Sequence, residues 1–329
     1  MHNLLIVLKL INLHSRKICP SGRSLNRFFL SSLITGMLAL AKKDIIAFRG
    51  YLIHLTHYDP EWCKRKSKEK PFDLNLGLEI IDALSDAGFN LLIIDCADGV
   101  KYKSHPELAR RYSIPMSYLK QLVNRAQKHN IEIVPKLNFS HSSFHRHNYW
   151  FRPYNTLFDN DDYWRIAFEI IDELIEGCRP KRYFHVGMDE DHDRDYAQYI
   201  EAISRLRKEL KQRGLRTIIW NDSSQIKNPL VDAKKSLEAE KEIPRDIVQI
   251  AWDYEYVRPK IIQRLVEEGF GVWVAPSQDP KQVLQWKRAI LKYGGKGMVM
   301  TTWIPCRGSN RSKMLKLIKN VGPIYCSPE

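Results

Sequence analysis

The sequence lacks several patterns that mark common protein classes. Its net charge is +14, yet the 52 lysine and arginine residues are dispersed, with no long basic run and no recognisable nucleic-acid motif. That distribution argues against a nucleic-acid partner and is compatible with attraction to anionic glycans or a cell surface. No glycine-rich phosphate loop follows an early strand, as a dinucleotide-binding open sheet usually shows. No linker, low-complexity tract or short-period repeat divides the chain either, so we expect a single domain and no cofactor.

Cysteine is also scarce. The six cysteines include no C-x-x-C pair, which argues against a zinc ribbon or a redox motif. Buried single thiols are the expected state, although an oxidising compartment would allow one disulfide. The cysteines are scattered along the chain at Cys19, Cys63, Cys96, Cys178, Cys306 and Cys326.

Acidic residues are missing from the first 41 residues, which contain five lysine or arginine residues. An apolar stretch at 28–41 ends in Ala39-Leu-Ala41 and is too short to span a membrane comfortably. A basic region, a short apolar core and an A-x-A end are typical of a secretory signal peptide. We therefore predict a targeting segment at 1–41, a mature domain at 42–329, export to the periplasm or the outside of the cell, and no stable membrane span after cleavage. The alternative is an uncleaved segment that anchors the protein to the membrane.

After residue 41, apolar runs rich in β-formers alternate with amphipathic helical stretches. The strand-like runs are 45–55, 89–96, 131–139, 183–187, 217–220, 247–252, 271–275 and 298–303. The helical stretches are 74–87, 116–128, 163–175, 196–213, 259–268, 280–293 and 312–320. Apolar residues recur at helical spacing in the first of these helices, and the polar segment 222–244 is expected to be a loop with a partial helix. Eight strands that alternate with helices predict an α/β fold, a single-domain (β/α)8 TIM barrel, with a doubly wound open sheet as the alternative.

The predicted strand ends carry acids, histidines and tryptophans. They are Asp98, His141, Asp189, Glu190, Trp220, Asn221, Asp222, Trp252, Tyr254 and Trp303. Catalytic groups of a TIM barrel lie at the C-terminal ends of its strands, and paired carboxylates are typical of glycosidic bond cleavage. Indole faces suit the apolar faces of sugar rings, although each tryptophan could equally be a core residue. The acids from 189 to 193 could also do no more than stabilise a helix N-terminus.

The segment His185-Val-Gly187-Met-Asp189-Glu190 resembles the His-x-Gly-Gly-Asp-Glu motif of glycoside hydrolase family 20, the β-N-acetylhexosaminidases. The likeness extends from residue 48 to about residue 303. It also includes Arg49-Gly50 in strand one, Asn90, Asp98 and Pro106-Glu107-Leu108 at strand two, Pro135 and His141 at strand three, Trp220-Asn-Asp222 at strand five, and Trp252 and Trp303 at strands six and eight.

The resemblance implies substrate-assisted retaining catalysis, an exception to the two-carboxylate rule, in which the 2-acetamido carbonyl of the substrate attacks the anomeric carbon. Glu190 is implied to protonate the leaving oxygen and then to deprotonate the attacking water. Asp189 is implied to hold the acetamido N–H, while Asp98 and His141 form a polar relay near Glu190. His185 is expected to face inward beneath the site. The implied substrate is a carbohydrate, a glycan that ends in GlcNAc or GalNAc, and the implied substrate-binding residues are Arg49, Trp220, Asp222, Trp252, Tyr254 and Trp303.

Several residues depart from the family pattern. Met188 replaces the second glycine of the motif, and Lys136 replaces the usual glutamate after Pro135. Strand seven lacks the expected Tyr-x-Asp, so Tyr254 is the candidate to supply a phenol instead. Pro305 stands where many members have a glutamate. These departures predict a divergent sugar preference.

Two other functions remain open on the sequence. One is a non-catalytic sugar-binding barrel, since a fold alone does not secure a function. The other is a metal-dependent hydrolase that uses His185, Asp189, Asp191, His192, Asp193 and the loop histidines His141, His145 and His147. No H-x-H signature opens the barrel, so no metal is expected. His145 and His147 are expected to lie in a solvated loop.

Overall fold

The computed structural model describes residues 45–56, 69–143, 145, 147–229 and 231–328. The predicted targeting segment at 1–41 lies outside these residues. Within the described part of the chain, no helix is both long and apolar enough to cross a membrane.

Eight parallel strands form a closed barrel, as the sequence predicts. They are β1 (Phe48–His54), β2 (Leu91–Asp95), β3 (Glu132–Lys136), β4 (Tyr183–His185), β5 (Arg216–Asn221), β6 (Val248–Asp253), β7 (Gly271–Pro276) and β8 (Gly297–Pro305). Each strand pairs with its neighbours in chain order, and β1 closes the barrel by pairing with β8. Parallel strands of such a barrel are covered on both faces, which explains why they read as almost continuous apolar runs.

Eight α-helices follow the strands one by one within the described residues. They are α1 (Leu74–Ala87), α2 (Met116–Lys128), α3 (Asp161–Cys178), α4 (Tyr196–Gln212), α5 (Ala233–Ala239), α6 (Pro259–Glu267), α7 (Pro280–Tyr293) and α8 (Arg311–Cys326). Short polar side chains cap several of them, and Asp195 forms a reciprocal capping box with Gln198 at the start of α4. The predicted partial helix within 222–244 is α5. The alternation of strand-like and helical stretches in the sequence therefore predicts each strand and helix of the barrel.

Two apolar layers hold the barrel together. Side chains alternate across each strand, so in β1 Leu52 packs inside the barrel while Tyr51 and Ile53 pack outward beneath the helices. The interior cluster also contains Val134, Ile218 and other residues of the remaining strands. This alternation decides which residue at each strand end faces the mouth of the barrel.

The thiols that the structure describes are all free. Cys96, Cys178 and Cys306 are buried, and Cys326 is partly buried. This agrees with the expectation of single thiols for these four positions.

Candidate active site

The turn after β4 brings two carboxylates to the C-terminal mouth of the barrel. Gly187, Met188 and Glu190 all have left-handed backbone angles, with φ of 74°, 72° and 53°. A β-carbon at Gly187 would lie 2.2 Å from Asn138 Oδ1, so only glycine fits there. Met188 adopts the same region although its side chain makes it unfavourable, and it is fully buried. Backbone strain of this kind clusters at functional sites and persists only where the surroundings enforce it.

A buried ion-pair network holds the far end of this turn. The Arg194 guanidinium bonds to Asp159 at 2.8 Å and to Asp191 at 2.6 Å. Lys235 of α5 donates to the backbone oxygen of Arg194 at 2.8 Å and lies 3.3 Å from the Asp191 carboxylate. Because these charges are paired, Asp191 is a structural anchor of the turn, and Asp189 and Glu190 are left to face the mouth.

Asp189 is buried, and among the described residues one side chain donates to its carboxylate. Asn138, just beyond β3, donates from Nδ2 to Asp189 Oδ1 at 2.7 Å. Burial raises the pKa of Asp189, and the neighbouring Glu190 charge adds to the rise, while His147 and Lys136 oppose it. A carboxylate with little water and few donors interacts strongly with any charge that develops beside it.

Glu190 has an opposite environment, dominated by histidines. Its Oε2 lies 2.8 Å from His147 Nε2 and 3.5 Å from His145 Nδ1. Burial raises the pKa of Glu190, but the hydrogen bond with His147 and the charges of His147, His145 and His192 outweigh it and lower the pKa overall. Asp189 and Glu190 therefore differ in proton affinity. Such a difference allows two carboxyl groups in one site to have different acid–base roles.

Asp222 connects the carboxylates to the aromatic residues. Its Oδ2 accepts from the backbone N–H of Glu190 at 2.6 Å, and its Oδ1 accepts from Trp252 Nε1 at 3.0 Å. Burial, together with the charges of Asp189 and Glu190, raises the pKa of Asp222 well above its ordinary value. Asp222 is thus a positioning residue for the Glu190 backbone and the Trp252 ring.

Three tryptophans and a tyrosine converge on one side of the mouth, as predicted. The ring centroids of Trp220 and Trp303 are 6.2 Å apart, those of Trp303 and Tyr254 are 6.5 Å apart, and those of Tyr254 and Trp252 are 5.7 Å apart. The Tyr254 hydroxyl accepts from Trp303 Nε1 at 2.9 Å. Trp220 is 2% exposed and belongs to the barrel interior, whereas Trp252 and Trp303 are partly exposed. Ends of β5, β6 and β8 therefore form what we call the aromatic half of the site.

The ends of β1 to β4 form a polar half instead. His54, Asp95, Lys136 and His185 are consecutive register partners across these four strands, and all four are buried. Lys136 Nζ lies 2.6 Å from Asp95 Oδ2, and His54 Nδ1 lies 3.3 Å from the same oxygen. The pKa of Asp95 is lowered: burial would raise it, but Lys136 and His54 outweigh that effect. The lysine that departs from the family pattern is therefore half of a buried ion pair.

His185 faces inward beneath the site, as expected. Its ring centroid is 4.7 Å from that of Trp220, and its Nδ1 accepts from the Gly187 backbone N–H at 3.0 Å. Burial, and after it the Lys136 charge, holds the pKa of His185 well below its ordinary value. His185 is neutral and supports the strained turn from below.

The expected relay through His141 is wrong. His141 Nδ1 bonds to Asp193 Oδ2 at 2.9 Å, and its ring lies 3.8 Å from that of Phe158 at a tilt of 35°, so its carboxylate partner is Asp193 and not Glu190. His147, six residues later in the same loop, occupies the place at Glu190 instead. Asp98 is buried and accepts from the Tyr112 hydroxyl at 2.8 Å, and the short helix that begins at His147 packs against the turn that carries Asp98.

The expected substrate role of Arg49 is also wrong. Arg49 is the second residue of β1, at the N-terminal face of the barrel, opposite the carboxylates. Its guanidinium donates to the backbone oxygens of Gly88 at 2.8 Å and Ile46 at 2.6 Å. An Arg-Gly pair has the same sequence whether it lies at the start or at the end of a strand. The sequence therefore could not show whether Arg49 lies at the N-terminal or the C-terminal face of the barrel.

Asn138 is not among the predicted site residues, and His145 and His147 were predicted only as possible metal ligands. The expectation that these two histidines lie in a solvated loop is wrong, because their side chains are 11% and 7% exposed beside Glu190. All three follow β3, and the closed barrel places that strand end beside the turn after β4. The sequence feature that could have indicated the histidines is the His145-x-His147 spacing in the loop after β3. That loop lies beside the turn that carries the carboxylates, because adjacent strand ends share one mouth.

Known structures share the fold of this chain. No protein-family model and no curated protein sequence matches it. An exo-β-N-acetylglucosaminidase of family 20 from Vibrio harveyi, solved with N-acetylglucosamine, has a TM-score of 0.62 at 12% identity, over 86% of this chain and 55% of that one. A β-N-acetylhexosaminidase from Bacteroides fragilis has a TM-score of 0.63 at 14% identity, over 86% and 67%. A β-hexosaminidase mutant from Streptomyces plicatus, bound to the product GlcNAc, has a TM-score of 0.64 at 14% identity, over 86% and 64%.

The extent of these matches limits what they establish. At 12% to 14% identity they show a shared barrel fold. The chain spans only 55% of the Vibrio enzyme and 64% of the Streptomyces enzyme.

Proposed function

We propose that the protein is a glycoside hydrolase that removes terminal β-linked N-acetylhexosamine from glycans. The observation that carries this proposal is the position of Asp189 and Glu190, beside an aromatic half that can receive one sugar ring. Fold neighbours that act on N-acetylhexosamine support the choice of sugar.

The proposed reaction uses the substrate as its own nucleophile. The 2-acetamido carbonyl oxygen attacks the anomeric carbon and forms an oxazolinium ring, while Glu190 transfers a proton to the leaving glycosidic oxygen. Glu190 then accepts a proton from the water that opens the ring at the anomeric carbon. Two displacements at one carbon leave the product in the β configuration.

Asp189 is proposed to accept the acetamido N–H and to offset the positive charge of the oxazolinium. Its burial supports this role, because a fixed charge in a site with little water stabilises a developing opposite charge most effectively. Its hydrogen bond from Asn138 would hold the carboxylate in one orientation.

Glu190 must be protonated to act as an acid, although its histidine neighbours lower its pKa in the free protein. A sugar that fills the mouth would displace water from Glu190, and loss of hydration favours the neutral carboxyl. Glu190 regains its proton from the attacking water at the end of each turnover, and the contact with His147 Nε2 at 2.8 Å would hold its carboxyl group in place.

The proposal is tested with aryl and natural β-N-acetylhexosaminides and the variant Glu190→Gln. The glutamine keeps the shape of the side chain and cannot transfer the proton, so turnover of a natural glycoside should fall about 10²–10⁴-fold. Circular dichroism and thermal melting establish that the variant is folded. Near wild-type turnover by Glu190→Gln would refute the assignment.

The same assay decides between catalysis and binding alone. A non-catalytic sugar-binding barrel would bind N-acetylhexosamine in calorimetry without releasing product from any glycoside. The departures from the family pattern, such as Met188, favour this second function.

We further propose that residues 1–41 direct export and are removed. N-terminal sequencing of the exported protein should then begin near Lys42. An intact N-terminus on protein recovered from the cytosol would contradict both cleavage and export.

A further inference from the structure

We propose that His145, His147 and Glu190 form a binding site for a divalent cation of the Zn²⁺ type, and that the bound metal blocks the proposed catalytic acid. The blocking effect rests on the proposed function, whereas the binding site does not. The three side chains come from two loops that the barrel brings together.

The distances within this cluster suit a metal ion. One nitrogen of each histidine and one oxygen of Glu190 all lie within 4.8 Å of one another. Ligands about 2.0–2.2 Å from a tetrahedral zinc lie roughly 3.3 Å apart. The two distances to Glu190 Oε2, 2.8 Å from His147 Nε2 and 3.5 Å from His145 Nδ1, fall on either side of that value.

The chemistry of the donors also fits. Two imidazoles and one carboxylate are the protein ligands of many zinc sites that keep a fourth position for water. The cluster is partly shielded, with side-chain exposures of 11% for His145, 7% for His147 and 16% for Glu190. The buried Asp189 carboxylate next to Glu190 adds negative charge that favours a cation.

Neighbouring groups orient the histidines. The rings of His145 and His147 are stacked, with centroids 5.4 Å apart and planes 7° apart. His192 stacks on His145 with its centroid 5.4 Å away, and its Nδ1 lies 3.0 Å from Ser142 Oγ. Ser142 Oγ also accepts from the His145 backbone N–H at 3.0 Å. Outer contacts that fix ring orientation are a regular feature of metal sites.

A metal at this site and a proton on Glu190 exclude each other. Zinc bound to Oε2 would keep the Glu190 carboxyl group ionised, so the group could not deliver the glycosidic proton, and zinc would replace the proton between His147 and Glu190. His145 is what distinguishes this site from a simple histidine–glutamate pair, since it supplies the third ligand.

The experiment measures metal binding first, on full-length protein without a polyhistidine tag. Calorimetry with ZnCl₂ should give one site, and Co²⁺ should produce the visible absorption of a low-symmetry nitrogen and oxygen site. His145→Ala and Glu190→Gln should each weaken Zn²⁺ binding at least about tenfold, the smallest loss expected when even an outer partner of a metal site is removed. The matched control is His129→Ala, because His129 Nε2 lies 3.0 Å from Asp82 on the outer helices and pairs with a carboxylate away from the cluster.

The proposed site is wrong if Zn²⁺ binds wild type, His145→Ala and Glu190→Gln with equal affinity. It is also wrong if Zn²⁺ does not bind the wild type. Thermal melting of each metal-free variant separates loss of a ligand from loss of the fold. Hydrolysis is measured second, at increasing Zn²⁺ and again after EDTA. Reversible inhibition that follows occupancy supports the block, and hydrolysis that is unchanged or increased at saturating Zn²⁺ overturns it. If no glycoside is hydrolysed but Zn²⁺ binds and depends on His145, the hydrolase proposal fails and the metal site stands.

Discussion

The polar and aromatic halves of the barrel mouth are built in different ways. In the aromatic half, Trp220, Trp252 and Trp303 lie on strands, and the alternation of side chains aims them at the mouth. The polar half contains the buried strand residues His54, Asp95, Lys136 and His185, but Glu190 and the histidines beside it lie on loops. The buried Arg194–Asp191 ion pair helps to hold the loop that carries Glu190. Strand register alone therefore brings the three tryptophans together, whereas Glu190 has partners from the loops after β3 and β5.

The two halves also handle charge differently. Asp95 and Lys136 form an ion pair within the polar half, and removing one partner of a buried pair leaves an uncompensated charge. In the aromatic half, Asp222 links Trp252 to the backbone of Glu190. Substitutions in the polar half should therefore change the pH dependence, and those in the aromatic half should mainly change sugar binding.

Among substitutions in the two halves, Asp189→Asn is expected to have the largest effect on turnover. It should lower turnover of N-acetylhexosaminides by about 10²–10³-fold, the loss typical of one transition-state electrostatic group. A thiazoline mimic of the oxazoline should also bind the variant more weakly than the wild type. Inhibition constants for both proteins check this, and equal constants would remove Asp189 from the proposed role.

The same variant should be more stable at neutral pH. The folded-state pKa of Asp189 is raised above its ordinary value of 3.8, so its ionisation costs stability as the pH rises through the folded-state pKa. Asparagine removes that charge and can still accept from Asn138. Melting temperatures across pH should show a gain for Asp189→Asn near pH 7 that disappears below pH 3.8.

His147→Ala should change the pH profile more than any substitution in the aromatic half. His147 lowers the pKa of Glu190, so its removal raises that pKa. Because an acid catalyst loses activity as the pH rises through its pKa, the basic limb of kcat/KM should move to higher pH. His141→Ala is the control, since His141 bonds to Asp193, and an equal shift in both variants would contradict the assignment.

Trp303→Ala should weaken sugar binding by the aromatic half and leave the pH dependence of kcat/KM unchanged. We expect catalytic efficiency to fall about tenfold, equivalent to roughly 1.4 kcal/mol, because the Trp303 ring borders both Trp220 and Tyr254. A purely structural role would instead cost about 3–5 kcal/mol of stability, as for tryptophan in a core. Melting temperature and kcat/KM, measured together, decide between these roles.

The smallest effect on activity is expected for Arg49→Ala, which lies at the opposite face of the barrel. It should leave KM unchanged and lower the free energy of unfolding by about 1–3 kcal/mol, because the carbonyls that its guanidinium contacts lose their charged donor. Substrate kinetics and urea denaturation check the two parts. A large rise in KM with unchanged stability would contradict this assignment and indicate that Arg49 binds substrate.

Local sequence patterns predict the barrel and the strand ends that carry the three tryptophans. Helical and strand periodicities are local, and they locate α1, α2 and α7 at the same residues in sequence and structure. Because alternation along a strand fixes the face of each side chain, the strand ends predict that Trp220, Trp252 and Trp303 face one mouth.

The partners of Glu190 and the position of Arg49 depend on tertiary contacts. Whether Arg49 lies at the top or bottom of β1, and whether His141 or His147 reaches Glu190, depends on how loops cross the mouth. Those paths are set by contacts between residues far apart in sequence, such as Arg194 with Asp159 and Asn138 with Asp189. Loop positions carry no periodicity, so the sequence identified the carboxylates and the fold had to supply their partners.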